Sequence, residues 1–504
     1  MKRKKELIVI LSSLLVIVLS VSVAYFTTKI LGTGKEISVE SADLKVIFTS
    51  GSGTINGTNI EPGWTSGENT FTVKNESNGT YKYNIIIKDL VNTFTTIGFL
   101  VYKITSSDGG YNMTDFVDVP KSSTSVDTVL AENISIAKGA THTYKIIINY
   151  NNSEEVDQSA DMGKTLSGKI FITKASNPTL ASKILEDNPT IGTRTDFSTP
   201  FTTNTANTLY KATENGSDVY YFAGQDTEST PINNWVKFGK NSSNQDLYWR
   251  IIRTNSDGGV RLLYHGTSTT ATDAYIGTSK FNEKFNDSMY VGYMYGTSGS
   301  QESNRTNTND SAIKAYIDNW YANNMTSYTK YLSTTAIYCN DREVGSGTYS
   351  ATGSTFYYAA FTRLDTNKTP TYDCTNDNDK FTVDASTGNG KLTYPIALMT
   401  ADEIAYAGGV FGTNAPMWYY TNSSFESSTG TTVWWSLSPS VGAGYNAGSC
   451  AVHGSGNPGG LRGSGVTVSD GVRPAVSLKT CIKYSTGNGT SETPYEIVET
   501  SSGC

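Results

Sequence analysis

The stretch "VWWSLSPSVGAGYNAGSC", residues 433–450, joins two adjacent tryptophans to a run of small and polar residues without a charged side chain. Adjacent residues of a β-strand point to opposite faces of the sheet. We therefore expect "WWSLSPS" to be a core strand in which one tryptophan is buried and the other, Trp435, faces outward. The remainder, "VGAGYNAGSC", opens a region that we predict to be a loop.

This predicted loop region, residues 440–469, has no clean helical or strand pattern. Glycines alternate there with tyrosine, asparagine, histidine and arginine, the side chains that recognition loops use for rigid contact area and adaptable hydrogen bonds. A long surface loop without a ligand is the alternative. The candidate ligand-binding residues are Trp435, Tyr445, Asn446, His453, Asn457 and Arg462.

The composition excludes some classes of function. The chain has 504 residues, only 17% of them charged, and a net charge of -7. Such a chain lacks the basic surface that nucleic-acid binding requires, so no nucleic-acid partner is expected. Its 32 tyrosines and 47 glycines are typical of extended β structure and of binding loops.

The first 30 residues predict a membrane segment. Four basic residues at positions 2–5 precede an apolar run, residues 7–26, which would be about 30 Å long as a helix. The run fits either a retained signal anchor or a secretory signal that is cleaved after Ala24. Both place the rest of the chain outside the cell, as a single-pass membrane protein or as a secreted one.

The five cysteines all lie at or after residue 339, and none forms a CxxC motif. In an extracellular protein they predict disulfides. We expect Cys339–Cys374 to bracket one long loop and Cys481–Cys504 to bracket the tail, which leaves Cys450 free. A bridge from Cys450 to Cys481 is the competing connectivity.

The predicted order is a membrane segment (1–30), a β-domain (36–175), a linker (176–210) and an α+β domain (211–499). Runs such as "YKYNIIIKDL" and "HTYKIIINY", separated by turn residues, predict an all-β antiparallel sandwich. The linker is rich in Thr, Asn and Pro, although "LASKILEDN" could form a short helix.

The last region combines short strands with two predicted helices. In "DSAIKAYIDNWYANN" the apolar residues recur at helical spacing, with Asp310 or Ser311 placed as the N-cap. In "TADEIAYAGG" Thr400 and Glu403 form a capping box, and Gly408 ends the helix. Helices and strands mixed in this way predict an α+β fold.

Two resemblances add to this interpretation. The β-domain, with "LKVIF", "IEPG" and "FTVKNESNGTYKYNI" in order, resembles the camelysin/TasA family of Bacillus-type biofilm-matrix and surface proteins. Some members of that family have been called metalloproteases. This chain has no HExxH motif and only His142 in the region, so that activity is not expected here.

The segments "YWRIIRTNSDGGVRLLYHGT", "LTYPIALMTADEIAYAGG", "WWSLSPS" and "GVRPAVSLK" resemble predicted surface proteins of low-GC Gram-positive bacteria. The end of the module is similar to the C-type-lectin-like/formylglycine-generating-enzyme fold group. That resemblance implies two helices against short antiparallel sheets, a long loop region for ligands, and a structural role for Arg473. No pair of active cysteines is evident, so the enzyme activity of that group is not implied.

Two other kinds of site are considered, a reactive cysteine and a calcium-binding loop. Cys450 and His453 could form a reactive thiolate near an imidazole, but the sequence places no acid to orient the histidine. The loop "DCTNDNDKFTVD", residues 373–384, is oxygen-rich, as calcium requires, but lacks the glycine and final glutamate of an EF-hand. We therefore predict neither catalytic residues nor a metal or cofactor.

The sequence thus predicts a cell-surface binding or adhesion protein with a lectin-like head that recognises an extracellular glycan or protein. A biofilm-matrix or fibre-forming subunit is the alternative. An enzyme is not expected.

Overall fold

The structure is a computed structural model. It describes residues 36–39, 44–50, 54–57, 60–76, 80–175, 177–202, 207–227, 230–270, 274–420, 433–442, 447–454 and 456–504. The predicted membrane segment, residues 1–30, lies outside these ranges. Within them, no helix has the length and apolar character needed to cross a membrane.

The chain divides into two units, Met1–Asn177 and Pro178–Cys504. The strands of the first unit are β1 (Glu36–Val39), β2 (Leu44–Ser50), β3 (Thr54–Gly57), β4 (Trp64–Thr65), β5 (Asn69–Asn75), β6 (Tyr81–Asn92), β7 (Leu100–Ser106), β8 (Val117–Asp118), β9 (Ser122–Ile136), β10 (Thr141–Tyr150) and β11 (Leu166–Lys174). A 3-10 turn covers Ser159–Asp161.

All strand pairs described in this unit are antiparallel, as predicted. One sheet has the order β1-β2-β5-β10-β7-β8, with β4 also paired to β10, and the other has the order β3-β11-β6-β9. Alternate residues of β10 point inward, from His142 to Tyr150, while their neighbours are more exposed. Residues of both sheets meet in one hydrophobic core, which is the packing of a sandwich.

The second unit contains five described α-helices and the remaining strands. The helices are α1 (Leu180–Asp187), α2 (Gln301–Asn304), α3 (Ala312–Asn324), α4 (Ala359–Phe361) and α5 (Ala401–Ala407), with a π-helical segment at Thr362–Asn367 and 3-10 turns at Ser288–Val291, Thr326–Tyr331 and Asp377–Asp379. The strands are β12 (Thr190–Thr193), β13 (Thr208–Glu214), β14 (Ser217–Tyr221), β15 (Trp235–Lys240), β16 (Asp246–Thr254), β17 (Val260–Gly266), β18 (Thr278–Lys280), β19 (Met294–Tyr295), β20 (Asn309–Asp310), β21 (Tyr338–Cys339), β22 (Val344–Ser346), β23 (Phe356–Tyr358), β24 (Lys380–Phe381), β25 (Ile396–Leu398), β26 (Trp434–Gly442), β27 (Gly448–Val452), β28 (Leu461–Gly465), β29 (Ser469–Gly471), β30 (Pro474–Leu478), β31 (Tyr484–Thr486) and β32 (Tyr495–Ile497).

The prediction of a linker at residues 176–210 is wrong. Thr179 caps α1 by accepting a hydrogen bond from Ser182 N, and the helix buries Leu180 and Ile184 in the core of the second unit. Strand β12 then pairs in parallel with β13. Residues from 178 onward therefore belong to the second unit, because the short predicted helix has an apolar face that needs a core.

Two large sheets organise the second unit. The first has the order β12-β13-β14-β16-β15-β32-β31 and continues from β16 through β17 and β30 to β25. The second has the order β18-β29-β26-β23-β22, with β27 paired to β26 and β28 paired to β27. Most pairs are antiparallel, but β12–β13, β15–β32 and β26–β29 are parallel.

Both predicted helices are present. Ser311 is the N-cap of α3, and Ile313, Ile317 and Tyr321 of this helix are fully buried. Helix α5 begins with the predicted capping box, in which Thr400 Oγ1 accepts from Glu403 N at 3.1 Å and Glu403 Oε2 accepts from Thr400 N at 2.9 Å. The two helices thus begin where their local sequence signals predict.

The predicted disulfides are also confirmed. Cys339 is bonded to Cys374, and Cys481 to Cys504. Cys450 is a buried free thiol. The competing bridge from Cys450 to Cys481 is therefore wrong.

Candidate functional site

Both tryptophans of the opening motif are buried. Trp434 and Trp435 each have 0% exposure, so the prediction that Trp435 faces outward is wrong. Trp435 Nε1 donates to the carbonyl of Ser279 at 2.8 Å, and its ring lies 5.5 Å from that of Phe281. Trp434 packs on the other face, beneath the Arg473 guanidinium. Strand β26 is covered on both faces, so alternation does not bring either ring to the surface.

Much of the predicted loop region is sheet. Strands β26, β27 and β28 are consecutive antiparallel neighbours, and Arg462 lies on β28 opposite Ala451. The sequence pattern did not predict these strands, because they contain many glycines and serines and few of the branched and aromatic residues that favour β structure. Tyr445 and Asn446 lie outside the described residues.

Of the predicted site residues, His453 and Asn457 share the turn between β27 and β28, and Arg462 follows it; all three are half-buried. Two backbone hydrogen bonds close the turn, from His453 N to Gly460 O and from Gly459 N to His453 O, each at 2.8 Å. We call the described residues 453–454 and 456–460 the hairpin loop.

Two tyrosines that precede the hairpin loop in sequence, one buried and one half-buried, donate hydrogen bonds to its backbone carbonyl groups. Tyr419 Oη donates to Gly459 O at 2.6 Å, and Tyr420 Oη donates to Gly454 O at 2.9 Å. Gly459 has a φ of +75°, and a Cβ there would lie 2.0 Å from Ala415 O. The loop backbone is therefore fixed by contacts that only glycine at position 459 permits.

Cys450 is in the wrong environment for nucleophilic chemistry. The residue has 0% exposure, and its thiol contacts Pro439 O at 3.7 Å. Burial raises the pKa of the thiol far above its usual range, with a further contribution from Asp402. A thiolate is the reactive form of cysteine, so this group is unreactive at neutral pH.

The oxygen-rich loop after Cys374 forms turn and arginine contacts. Asn376 caps the following 3-10 turn, and Asp379 binds Arg342 at 2.6 Å and Arg305 at 3.1 Å. In the part of the chain that the structure describes, no three His, Cys, Asp or Glu side chains converge to hold a metal ion.

A feature that the sequence analysis missed is a small charged cavity in the second unit. Its volume is about 20 Å³, enough for about one water molecule. We call it the charged cavity; its charged lining residues are Glu214, Asp341, Asp373, Asp402 and Glu403, with Arg253, Arg261 and Arg363.

Glu403 is the centre of the inner wall. One of its carboxylate oxygens accepts from Arg253 Nε at 3.0 Å and from Arg261 Nη1 at 2.8 Å. Arg253 also pairs with Glu214 at 2.7 Å. Burial alone would raise the pKa of Glu214, but the adjacent Arg253 outweighs it and lowers this pKa from 4.5 to about 2.

Arg363 forms the opposite wall. Its Nε and Nη2 bind both oxygens of Asp402, at 2.9 and 2.8 Å, and its Nη1 binds Asp341 at 3.0 Å. Burial raises the pKa of Asp341; Arg363 opposes the rise and Asp402 adds to it. The π-helical segment positions Arg363, and the start of α5 positions Asp402.

A signal for this cavity was present in the sequence. Arg253 and Arg261 interrupt apolar strands, in "YWRIIRT" and "VRLLYHG", and charged residues are rarely buried without partners. Their carboxylate partners lie on other elements, about 40 to 150 residues away in sequence. A single sequence shows that partners must exist, but not which ones they are.

Comparisons with known proteins leave the function open. No family model matches the chain, and no curated protein matches it. Among solved structures, the sporulation control protein Spo0M from Bacillus subtilis aligns with 44% of this chain and 78% of its own length. The identity is 10% and the TM-score 0.11, so this likeness supports no statement about fold or function.

Proposed function

We propose that this chain is a bacterial cell-surface protein whose second unit binds an extracellular glycan or protein, as a C-type-lectin-like head. Two disulfides and a β-rich architecture support an extracellular location, because disulfides persist in oxidising compartments. The basic and apolar residues 2–26 support membrane attachment, or secretion after cleavage at Ala24. Helices α3 and α5 beside antiparallel sheets support the lectin-like assignment.

The observation that carries the proposal is the fixed hairpin loop. Its backbone is held by the hydroxyls of Tyr419 and Tyr420, while the loop and the start of β28 display three half-buried polar side chains. A loop that is ordered before it binds loses less conformational entropy on binding. Histidine, asparagine and arginine together supply donors and acceptors for hydroxyl, carbonyl or carboxylate groups.

A screen of glycans and extracellular proteins tests the proposal. We expect the ectodomain to bind at least one class, and the triple variant His453→Ala, Asn457→Ala, Arg462→Ala to lose that binding. The matched control replaces an exposed ion pair on β13 and β14, Lys211→Ala with Asp218→Ala, and should bind like wild type. An empty screen, or binding that survives the triple variant, would refute the proposed site.

Trp435→Ala is unsuitable for this screen. The side chain is fully buried and donates a hydrogen bond to Ser279 O, so its removal would test folding rather than recognition.

The second candidate function is a biofilm-matrix or fibre-forming subunit, supported by an exposed edge of the first unit. Strand β9 has 15 residues and is an edge of its sheet. Val126 and Val129 on this strand are 44% and 50% exposed. Long edge strands with exposed apolar residues promote pairing between molecules.

Sedimentation and electron microscopy of the ectodomain test the matrix function. We expect concentration-dependent assembly, which Val126→Lys with Val129→Lys would abolish by placing charge on the edge. Met162→Lys, at a residue 81% exposed outside the strands, is the control. A wild-type ectodomain that stays monomeric at high concentration would rule this function out.

A further inference from the structure

The charged cavity contains more negative than positive groups. Five carboxylates and three guanidinium groups line it, an excess of two negative charges. Arg253 forms ion pairs with Glu214 and Glu403, and Arg261 forms one with Glu403. Arg363 forms ion pairs with Asp341 and Asp402. Asp373 has no arginine partner among these pairs. Asp373 is exposed, whereas the other four carboxylates are buried or half-buried, and a surface lined by charge of one sign attracts an ion of the opposite sign.

A second observation points to an occupant. Tyr372 lines the cavity and is only 7% exposed, yet its hydroxyl has no hydrogen-bond partner within the described part of the chain. A buried polar group without a partner is costly. Its ring is fixed between Tyr406, 4.1 Å away, and the Arg253 guanidinium, 4.5 Å away, so a ring movement that would bring the hydroxyl to solvent is opposed by packing.

The cavity is reached from the surface. Asp373 and Asn215 are exposed at its rim, where Asp373 Oδ1 accepts from Asn215 N at 2.6 Å. The Cys339–Cys374 disulfide also lines the cavity and fixes the residue after Asp373. A ligand group could therefore enter beside Asp373 without unfolding the site.

The room available selects the kind of cation. About 20 Å³ holds one water-sized group, and no three acidic or other ligand side chains of the described residues converge as a metal would require. A primary ammonium group is close to water in size and presents N–H donors to carboxylate and hydroxyl oxygens. We propose that the charged cavity binds a primary ammonium group, with Asp341 and Asp373 as charged acceptors and the Tyr372 hydroxyl as a neutral one.

Such a group is present on an amino sugar and on a lysine side chain. The site goes beyond the proposed recognition by the hairpin loop and shares none of the three residues tested there. Failure of one proposal leaves the other standing.

Calorimetric titration of the disulfide-intact protein tests the inference. The probe is methylammonium chloride at constant ionic strength. We expect saturable binding that is about tenfold weaker in Asp341→Asn and in Asp373→Asn, because each removes one charged acceptor. Asp377→Asn, in the same loop with a side chain 89% exposed, is the matched control and should bind like wild type.

Tyr372→Phe is the variant that separates a loss of binding from a loss of folding. It removes only the unpartnered hydroxyl, so we expect unchanged or higher stability together with weaker methylammonium binding. Tetramethylammonium, which is too large and has no N–H donor, should not bind.

Two further probes distinguish the source of the group. Glucosamine binding without binding of N-acetylglucosamine would assign an amino sugar, and binding of Nα-acetyl-lysine amide alone would assign a lysine side chain. Absence of saturable methylammonium binding, equal binding by the Asp341→Asn variant, or equal binding of N-acetylglucosamine and glucosamine would overturn the proposal.

Discussion

Glu403 has two structural tasks at once. It closes the capping box of α5 with Thr400, and it is the shared partner of Arg253 and Arg261. The local sequence predicted the first task from spacing alone. The second depends on two strands more than 140 residues earlier in the chain, and nothing near Glu403 in the sequence indicates it.

We predict that Glu403→Gln destabilises the second unit by about 3 kcal/mol or more, because it leaves buried guanidinium charge without its partner. Glutamine keeps the shape and the capping acceptor, so the loss reports mainly the charge. Chemical denaturation measures it. Glu283→Gln, in an exposed pair with Lys280, should change stability by less than about 1 kcal/mol; equal effects of the two variants would contradict the assigned role.

The pKa of Glu214 predicts a pH dependence. Its pKa is about 2 in the folded protein against 4.5 as the reference, so folding favours the charged form. The resulting stability, about 3 kcal/mol, is fully present above pH 5 and is lost as pH falls toward 2. We expect wild type to exceed Glu214→Gln in unfolding free energy at pH 7, with the gap shrinking by pH 3. A gap independent of pH would show that Arg253 does not hold the carboxylate charged.

Trp435 marks the limit of residue-level prediction. Alternation correctly separates the two faces of β26, but it does not say how many faces are covered. The second cover comes from Ser279 and Phe281, more than 150 residues earlier. For this reason Trp435, which we predicted to bind ligand, is instead a core residue.

At the scale of elements, strong local signals were sufficient. Helix α3 was predicted from apolar spacing and an N-cap at Asp310 or Ser311, and α5 from its capping box and terminal glycine. Strands β27 and β28 were missed because "GSCAV" and "LRGSG" contain few branched or aromatic residues. Their pairing with the apolar strand β26 stabilises them, which is a tertiary effect.

The hairpin loop yields a prediction about one glycine. Gly459→Ala combines a φ of +75° with a Cβ that would lie 2.0 Å from Ala415 O. We expect destabilisation of more than about 1 kcal/mol and local rearrangement of the loop. Gly465→Ala on β28 has open space around the new Cβ and should be nearly neutral. Thermal unfolding and amide exchange of residues 453–460 compare the two variants; a neutral Gly459→Ala would mean that the loop is not fixed as described.

At the scale of the whole molecule, the cysteine arithmetic succeeded because all five cysteines lie in one unit and two pairs are close in sequence. The structure bears on the disulfides, but not on the predicted membrane segment or on the identity of a ligand. The segment lies outside the described residues, and the identity of a ligand depends on a surface that no local pattern encodes.

The disulfides predict unequal responses of the two units to reduction. The Cys339–Cys374 bridge spans 35 residues, and its loss should destabilise the second unit by about 4 kcal/mol. The first unit contains no cysteine and should be unaffected. Calorimetry with and without reductant, together with Cys339→Ser and Cys374→Ser, measures both transitions. Equal shifts of the two transitions would contradict this division.

The closure of the second unit constrains when it can fold. Helix α1 at its start contacts its last strands: Leu180 N donates to Ile482 O at 2.8 Å, and Tyr495 Oη donates to Asp187 at 2.9 Å. Strand β15 gains its parallel neighbour only from β32. During synthesis, therefore, roughly 300 residues must leave the ribosome before this sheet is complete. The sheet of the nascent second unit stays incomplete until β32 has been synthesised. A chaperone that binds the nascent chain can therefore act throughout the synthesis of this unit.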